Sequence, residues 1–192
     1  KNGLLLCNIR QVEKGCRMFD PTIFDNMKVV LEGAVYDLDF AGEIVVTGRI
    51  DRVELSTMSR TYALRFKEQG RGECSAEVRL SADISDLAAE LLQKKDEAPG
   101  CRLTIRFTCR IRGEEDCREI NGLLGKIWSG RPSIRQTISF VYDPAKKPDF
   151  FQNEVQLDFD RKLDEAQVDD FPELLRHVLT SLRALNRLRD HF

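Results

Sequence analysis

Between Cys101 and Arg112 the chain reads CRLTIRFTCRIR, so that Leu103, Ile105, Phe107, Cys109 and Ile111 alternate with Arg102, Thr104, Arg106, Thr108, Arg110 and Arg112. A period of two puts one set of side chains in a core and the other in water, which only a strand can do. A half-solvated strand of this kind belongs to an antiparallel sheet, so the rest of the chain has to supply its neighbours and cover its apolar face.

Several stretches read as those neighbours. In Ser59–Glu68, Tyr62, Leu64 and Phe66 alternate with Thr61, Ala63, Arg65 and Lys67, and Glu73–Leu80 alternates again after the Gly70 and Gly72 turn. Glu43–Leu55 and Ser133–Tyr142 are extended, and Val155, Leu157 and Phe159 form the inner row of a later strand. Leu4–Val12 is a short apolar run of strand type. Ile120–Trp128 carries two glycines among apolar residues and suits a strand better than a helix. Ile23–Leu38 fits a helical face, but Val29, Val30, Val35 and Tyr36 are strand formers and Gly33 weakens a helix, so a hairpin is expected there. Asp83–Lys94, taken alone, looks like a helix capped by Asp83, with Ile84, Leu87 and Leu91 at helical spacing. The clearest helix follows Asp170, where Phe171, Leu174, Leu175, Val178, Leu182, Leu185 and Leu188 keep one apolar face.

A chain of 192 residues is long enough to bury a substantial core, and 30 basic against 32 acidic side chains leave no global field to attract nucleic acid or anionic lipid. The six cysteines form no C-x-x-C pair and the two histidines lie near the C-terminus, which argues against zinc; reduced thiols in a cytoplasm are expected. No apolar run approaches the roughly 20 residues of a membrane span.

Two constellations carry chemistry. Arg102, Arg106, Arg110 and Arg112 present parallel guanidinium forks suited to phosphates, or else pair across strands with Glu73, Glu77, Glu154, Asp158 or Asp160. GRIDRVEL followed by YALRFK resembles the strand pair of RecB-like nucleases, with Asp51 and Lys67 in place. Arg65, however, stands where the second metal-binding carboxylate belongs, and a cation there would repel the metal. With no catalytic set, no cofactor and no metal site read from the residues, binding is the default.

Read together, the middle stretches resemble a PilZ domain, the bacterial barrel that in many members binds cyclic di-GMP. Asp83-Ile84-Ser85 occupies the family's D/N-x-S element, with Ala88 at its glycine position. Pro99-Gly100, LTIRF, Ile120-Asn121-Gly122, Glu154–Phe159 and the last helix follow in family order over about residues 59 to 180. The arginine pair is Arg60 and Arg65, with four residues between them where the family has three. The resemblance implies that Arg60, Arg65, Asp83, Ser85 and Ala88 line a ligand site, and that Leu87–Leu92 is a strand rather than a helix.

The expectation is therefore a mainly antiparallel β-barrel with a long C-terminal helix, in which residues 1–56 form an N-terminal strand-rich segment and residues 57–192 the PilZ-like barrel. Its role would be that of a non-enzymatic regulatory domain that receives cyclic di-GMP. The alternative is a degenerate adaptor binding a protein and no nucleotide, with an inactive nuclease fold as a third reading. The apolar stripe through Leu182, Leu185 and Leu188 either continues into water and pairs two copies as a homodimer, or is covered within the chain.

Overall fold

Six strands pair antiparallel throughout in a computed structural model that describes residues 22–92, 99–145 and 148–189. Helix α1 (Ile23–Phe40) leads into β1 (Ile44–Glu54), β2 (Ser59–Glu68) and β3 (Arg71–Ala82). Then come α2 (Ile84–Leu91), β4 (Cys101–Ile111), α3 (Glu114–Ile127), β5 (Ser133–Ser139) and β6 (Phe151–Leu163). A 3-10 segment, Glu165–Asp170, runs directly into α4 (Phe171–Arg189). The sheet order is β1-β2-β3-β4-β6-β5, and no ladder among the described residues joins β1 to β5, so the sheet has two edges. The expected Leu4–Val12 strand lies outside the described residues.

The alternation in β2, β3, β4 and β6 sorts the two faces as expected. Tyr62, Leu64, Phe66, Val78, Ile105 and Phe107 are among the buried residues on the inner face, and α1, α3 and α4 lie over them. The other face is polar. A boundary expected near residue 56 falls in the turn between β1 and β2, which pair from Ile44↔Glu68 to Glu54↔Ser59, and both sides of it feed one core.

Three segments expected as strands are helices. In α1, Thr22 caps the first turn by accepting from the Asp25 backbone N–H at 3.3 Å. Phe24, Met27, Leu31 and Val35 are buried at helical spacing. Val29 and Val30 are exposed, and a Cβ at Gly33 would meet nothing within 4 Å. The β-branched residues and the glycine thus cost about 1 kcal/mol or less apiece, while the buried stripe gains more. In α3 the same logic holds: Gly122 and Gly125 face open space, while Ile120 and Leu124 are buried. Glu114, Glu115 and Asp116 in its first turn suit the helix dipole. In α2 the capped-helix pattern of Asp83 prevails over the strand that the family resemblance implied. The Asp83 N–H donates to Asp86 Oδ2 at 3.2 Å, and Lys162 pairs with Asp86 to tie the helix to β6.

The α4 stripe is covered within the chain. Leu182 and Leu185 are buried against the sheet, and Leu188 is partly buried beside them. The apolar surface expected to join two copies through this helix is spent on the protein's own core, because the helix crosses the sheet face rather than projecting beyond it.

Candidate functional site

The residues expected to bind a ligand are dispersed. Five positions separate Arg60 from Arg65, so in a strand they face opposite ways. Arg60 turns to the helix side, where its guanidinium clamps Asp25 at 2.7 and 3.0 Å and lies 4.4 Å from the Phe24 ring centroid. Arg65 is on the open face, 2.8 Å from Glu77. Arg60 and Asp83 do line one cavity, together with Asp86 and Glu90, but its volume of about 20 Å³ is room for one water. Ser85 and Ala88 lie on α2 outside that lining. Asp51 and Lys67 are also split by the sheet: Asp51 pairs with Lys28 of α1, whereas Lys67 is offset by one position from inward-facing Phe66.

On the open face the arginine ladder is partly spent on neighbours. Arg106 donates to Gln156 Oε1 at 3.1 Å and reaches Glu154 at 3.9 Å. Glu77, nearly buried, is held between Arg65 and Arg79 at 2.8 and 2.7 Å. Burial pushes its carboxyl up, but the two guanidinium groups outweigh that and leave it below the usual carboxylate range.

A much larger cleft lies elsewhere, between the C-terminal end of α3, the end of β6 and the start of α4. It encloses about 650 Å³ and is lined by Trp128, Arg131, Phe159, Arg161, Glu173 and His177, among others. That volume falls within the range of small-molecule sites, roughly 300–1,000 Å³. Trp128 is the only tryptophan of the chain. Its ring meets Phe159 edge-on at 5.8 Å and His177 at 5.5 Å, and its Nε1–H donates to Ser181 Oγ at 3.0 Å. Ser181 Oγ in turn donates to the His177 carbonyl at 2.8 Å, so the indole is fixed from two sides.

His177 Nδ1 is 3.0 Å from the Glu173 carbonyl oxygen. A carbonyl only accepts, so Nδ1–H is the donor in this contact. No family, curated protein or solved structure matches the chain. The chemistry of the cleft therefore rests on its own residues.

At its rim the backbone turns sharply after α3, with Ser129 at φ 52° and Gly130 at φ 67°. A serine in the left-handed region is uncommon and costs of order 1 kcal/mol or more. The turn places Arg131 on one wall and Arg161 of β6 on another, and both are exposed. Neither forms an ion pair among the described residues. Asp160, Asp170 and Glu173 complete the polar lining, and an apolar recess of about 70 Å³ bounded by Leu103, Leu163 and Phe171 shares Phe159 and Leu174 with the cleft. Among the described residues no group of three or more His, Cys, Asp or Glu side chains is placed to hold a metal ion.

The described cysteines are not among the residues lining this cleft. Cys74, Cys101, Cys109 and Cys117 are free thiols, and burial pushes Cys101 up to about 12, which keeps it protonated. Among the described residues no helix is long and apolar enough to cross a membrane. Sequence reasoning misses the cleft because Ile120–Trp128 reads as a strand and the histidines stand in no motif. The available signal was a lone tryptophan directly before Ser-Gly-Arg-Pro, a turn that ends one element and aims the next.

Proposed function

We propose that this protein is a non-enzymatic binding domain that takes a guanine-type nucleotide, cyclic di-GMP among the candidates, in the cleft around Trp128. The observation that carries the reading is the convergence of three rings with two arginines that have no ion-pair partner among the described residues. Phe159 and His177 offer surfaces to a flat base, and Arg131 and Arg161 offer forked donors to phosphate. The carboxylates of Asp160, Asp170 and Glu173 suit the N–H donors on the edge of guanine, which an adenine lacks in that arrangement.

The second reading, an adaptor that binds a protein and no nucleotide, is favoured by the separation of Arg60 and Arg65 onto opposite faces. Trp128 supplies the decisive assay as an intrinsic fluorophore. Titration with cyclic di-GMP and with GMP should change its emission, Arg161→Ala should abolish the response, and Arg65→Ala should leave it unchanged. Silence toward both nucleotides at millimolar concentration refutes the nucleotide reading and favours the adaptor.

A further inference from the structure

The two edges of the sheet are built differently. At β1 the register shifts between Val46 and Gly48, and Arg49, Asp51, Arg52 and Glu54 follow along the strand. Glu32 and Lys28 of α1 reach across to pair with Arg49 and Asp51. Bulges and charges of this kind prevent an edge from templating another strand. At β5 these devices are reduced to a single arginine, Arg135. Its sequence, SIRQTIS, has no proline, no glycine and one charge, and it runs against β6 from Ser133↔Asp158 to Ser139↔Gln152 without a shift in register. On its other side no strand pairs with it among the described residues.

An exposed apolar surface continues from that edge. Ile138, Phe140, Val141 and Tyr142 are 42%, 54%, 92% and 78% exposed, and Phe150 joins them from the start of β6. Apolar exposure of this kind beside an edge that no described strand covers marks an association surface. The occupant is indicated by the symmetry of the strand itself. An antiparallel pair of β5 strands centred on Gln136 overlaps along the full strand, setting Ser133 against Ser139, Ile134 against Ile138 and Arg135 against Thr137. Centring one residue earlier would oppose Arg135 to itself, a like-charge pair that is destabilising. The arrangement is isologous, as a two-fold dimer requires.

We propose that two copies of this chain pair through β5, antiparallel about Gln136, joining their sheets edge to edge. The register then runs Phe140 and Val141 of one copy alongside Pro132 and Arg131 of the other, so each copy delivers an apolar segment to the rim of its partner's cleft. The pairing stands apart from the cleft's ligand; only this last consequence rests on the reading proposed above.

Sedimentation equilibrium and light scattering on the full chain test it. Twice the chain mass is expected at high concentration. Thr137→Lys, which opposes two cations at each of two symmetric positions, should weaken the dimer about tenfold. Adding Arg135→Glu to that variant should restore it, because each position then opposes unlike charges. Both positions are exposed, and circular dichroism confirms that the variants keep their fold. A single-chain mass at every concentration overturns the proposal, as does a double variant no tighter than Thr137→Lys alone. A monomer whose Trp128 still responds to nucleotide refutes the pairing and not the cleft; a dimer silent to nucleotide supports the pairing and removes the cleft reading.

Discussion

The Asp25–Arg60 clamp should behave as a structural lock whose strength can be titrated. Thr22 and Arg60 hold the Asp25 carboxylate, and the Arg60 hydrogen bonds, working against burial, bring it from 3.8 down to about 2. At about 1.4 kcal/mol per pH unit, that displacement corresponds at face value to roughly 2.5 kcal/mol. The Asp25 side chain is 36% exposed, so solvent screening reduces the contribution to about 1 kcal/mol. Because the folded-state value is depressed, the stabilisation is complete above about pH 4 and is lost as pH falls toward 2.

Asp25→Asn and Arg60→Ala should each cost about 1–2 kcal/mol in urea unfolding at neutral pH, the arginine variant more because it also leaves the Phe24 ring. The double variant should cost little more than Arg60→Ala alone, since the two side chains share one interaction. The gap between wild type and Asp25→Asn should narrow steadily as pH falls from about 4 toward 2. Strictly additive costs, or a gap independent of pH, would refute the assignment of Arg60 to this clamp and return it to the pool of ligand residues.

Leu182→Ala should destabilise the chain by about 2–5 kcal/mol in chemical unfolding, because the side chain is fully buried and not at an intermolecular surface. A change confined to oligomeric state would contradict the packing of α4. Glu77→Ala should cost about 1–3 kcal/mol in a thermal melt, by leaving Arg65 and Arg79 to repel one another, and the loss should shrink in high salt. Gly100→Ala should lower the melting temperature, since a Cβ there would sit 2.7 Å from the Leu163 carbonyl oxygen. An unchanged melt would mean that β4 and β6 separate at that end without cost.

What could be read from the residues alone followed from how strongly each segment repeated. Alternation in Tyr62–Phe66, Leu103–Ile111 and Val155–Phe159 placed the strands and their inner faces, because burial of one sheet face demands that period. The stripe from Phe171 to Leu188 gave the last helix for the same reason. Segments 23–38 and 120–128 misled because local preference opposed tertiary packing: Gly33, Gly122 and Gly125 weaken helices in isolation but lie on outward faces. The candidate site was the least legible part. Trp128, Arg161 and His177 come from three elements distant in sequence, and no spacing rule joins them before the fold does.

The order of manufacture has its own consequence for a sheet covered on one side by helices. Strands β1 to β4 are laid down as consecutive neighbours, and the helix that completes their inner face is made much later. At ribosomal speeds of about 5–20 residues per second, the interval between Ala82 and Leu185 lasts roughly 5–20 s. For that time Leu64, Phe66 and Val78 have no α4 to meet, though α1 is already available to shield part of the surface. Until α4 emerges, the uncovered part of that face is open to non-native association, the hazard that chaperones counter in nascent chains generally.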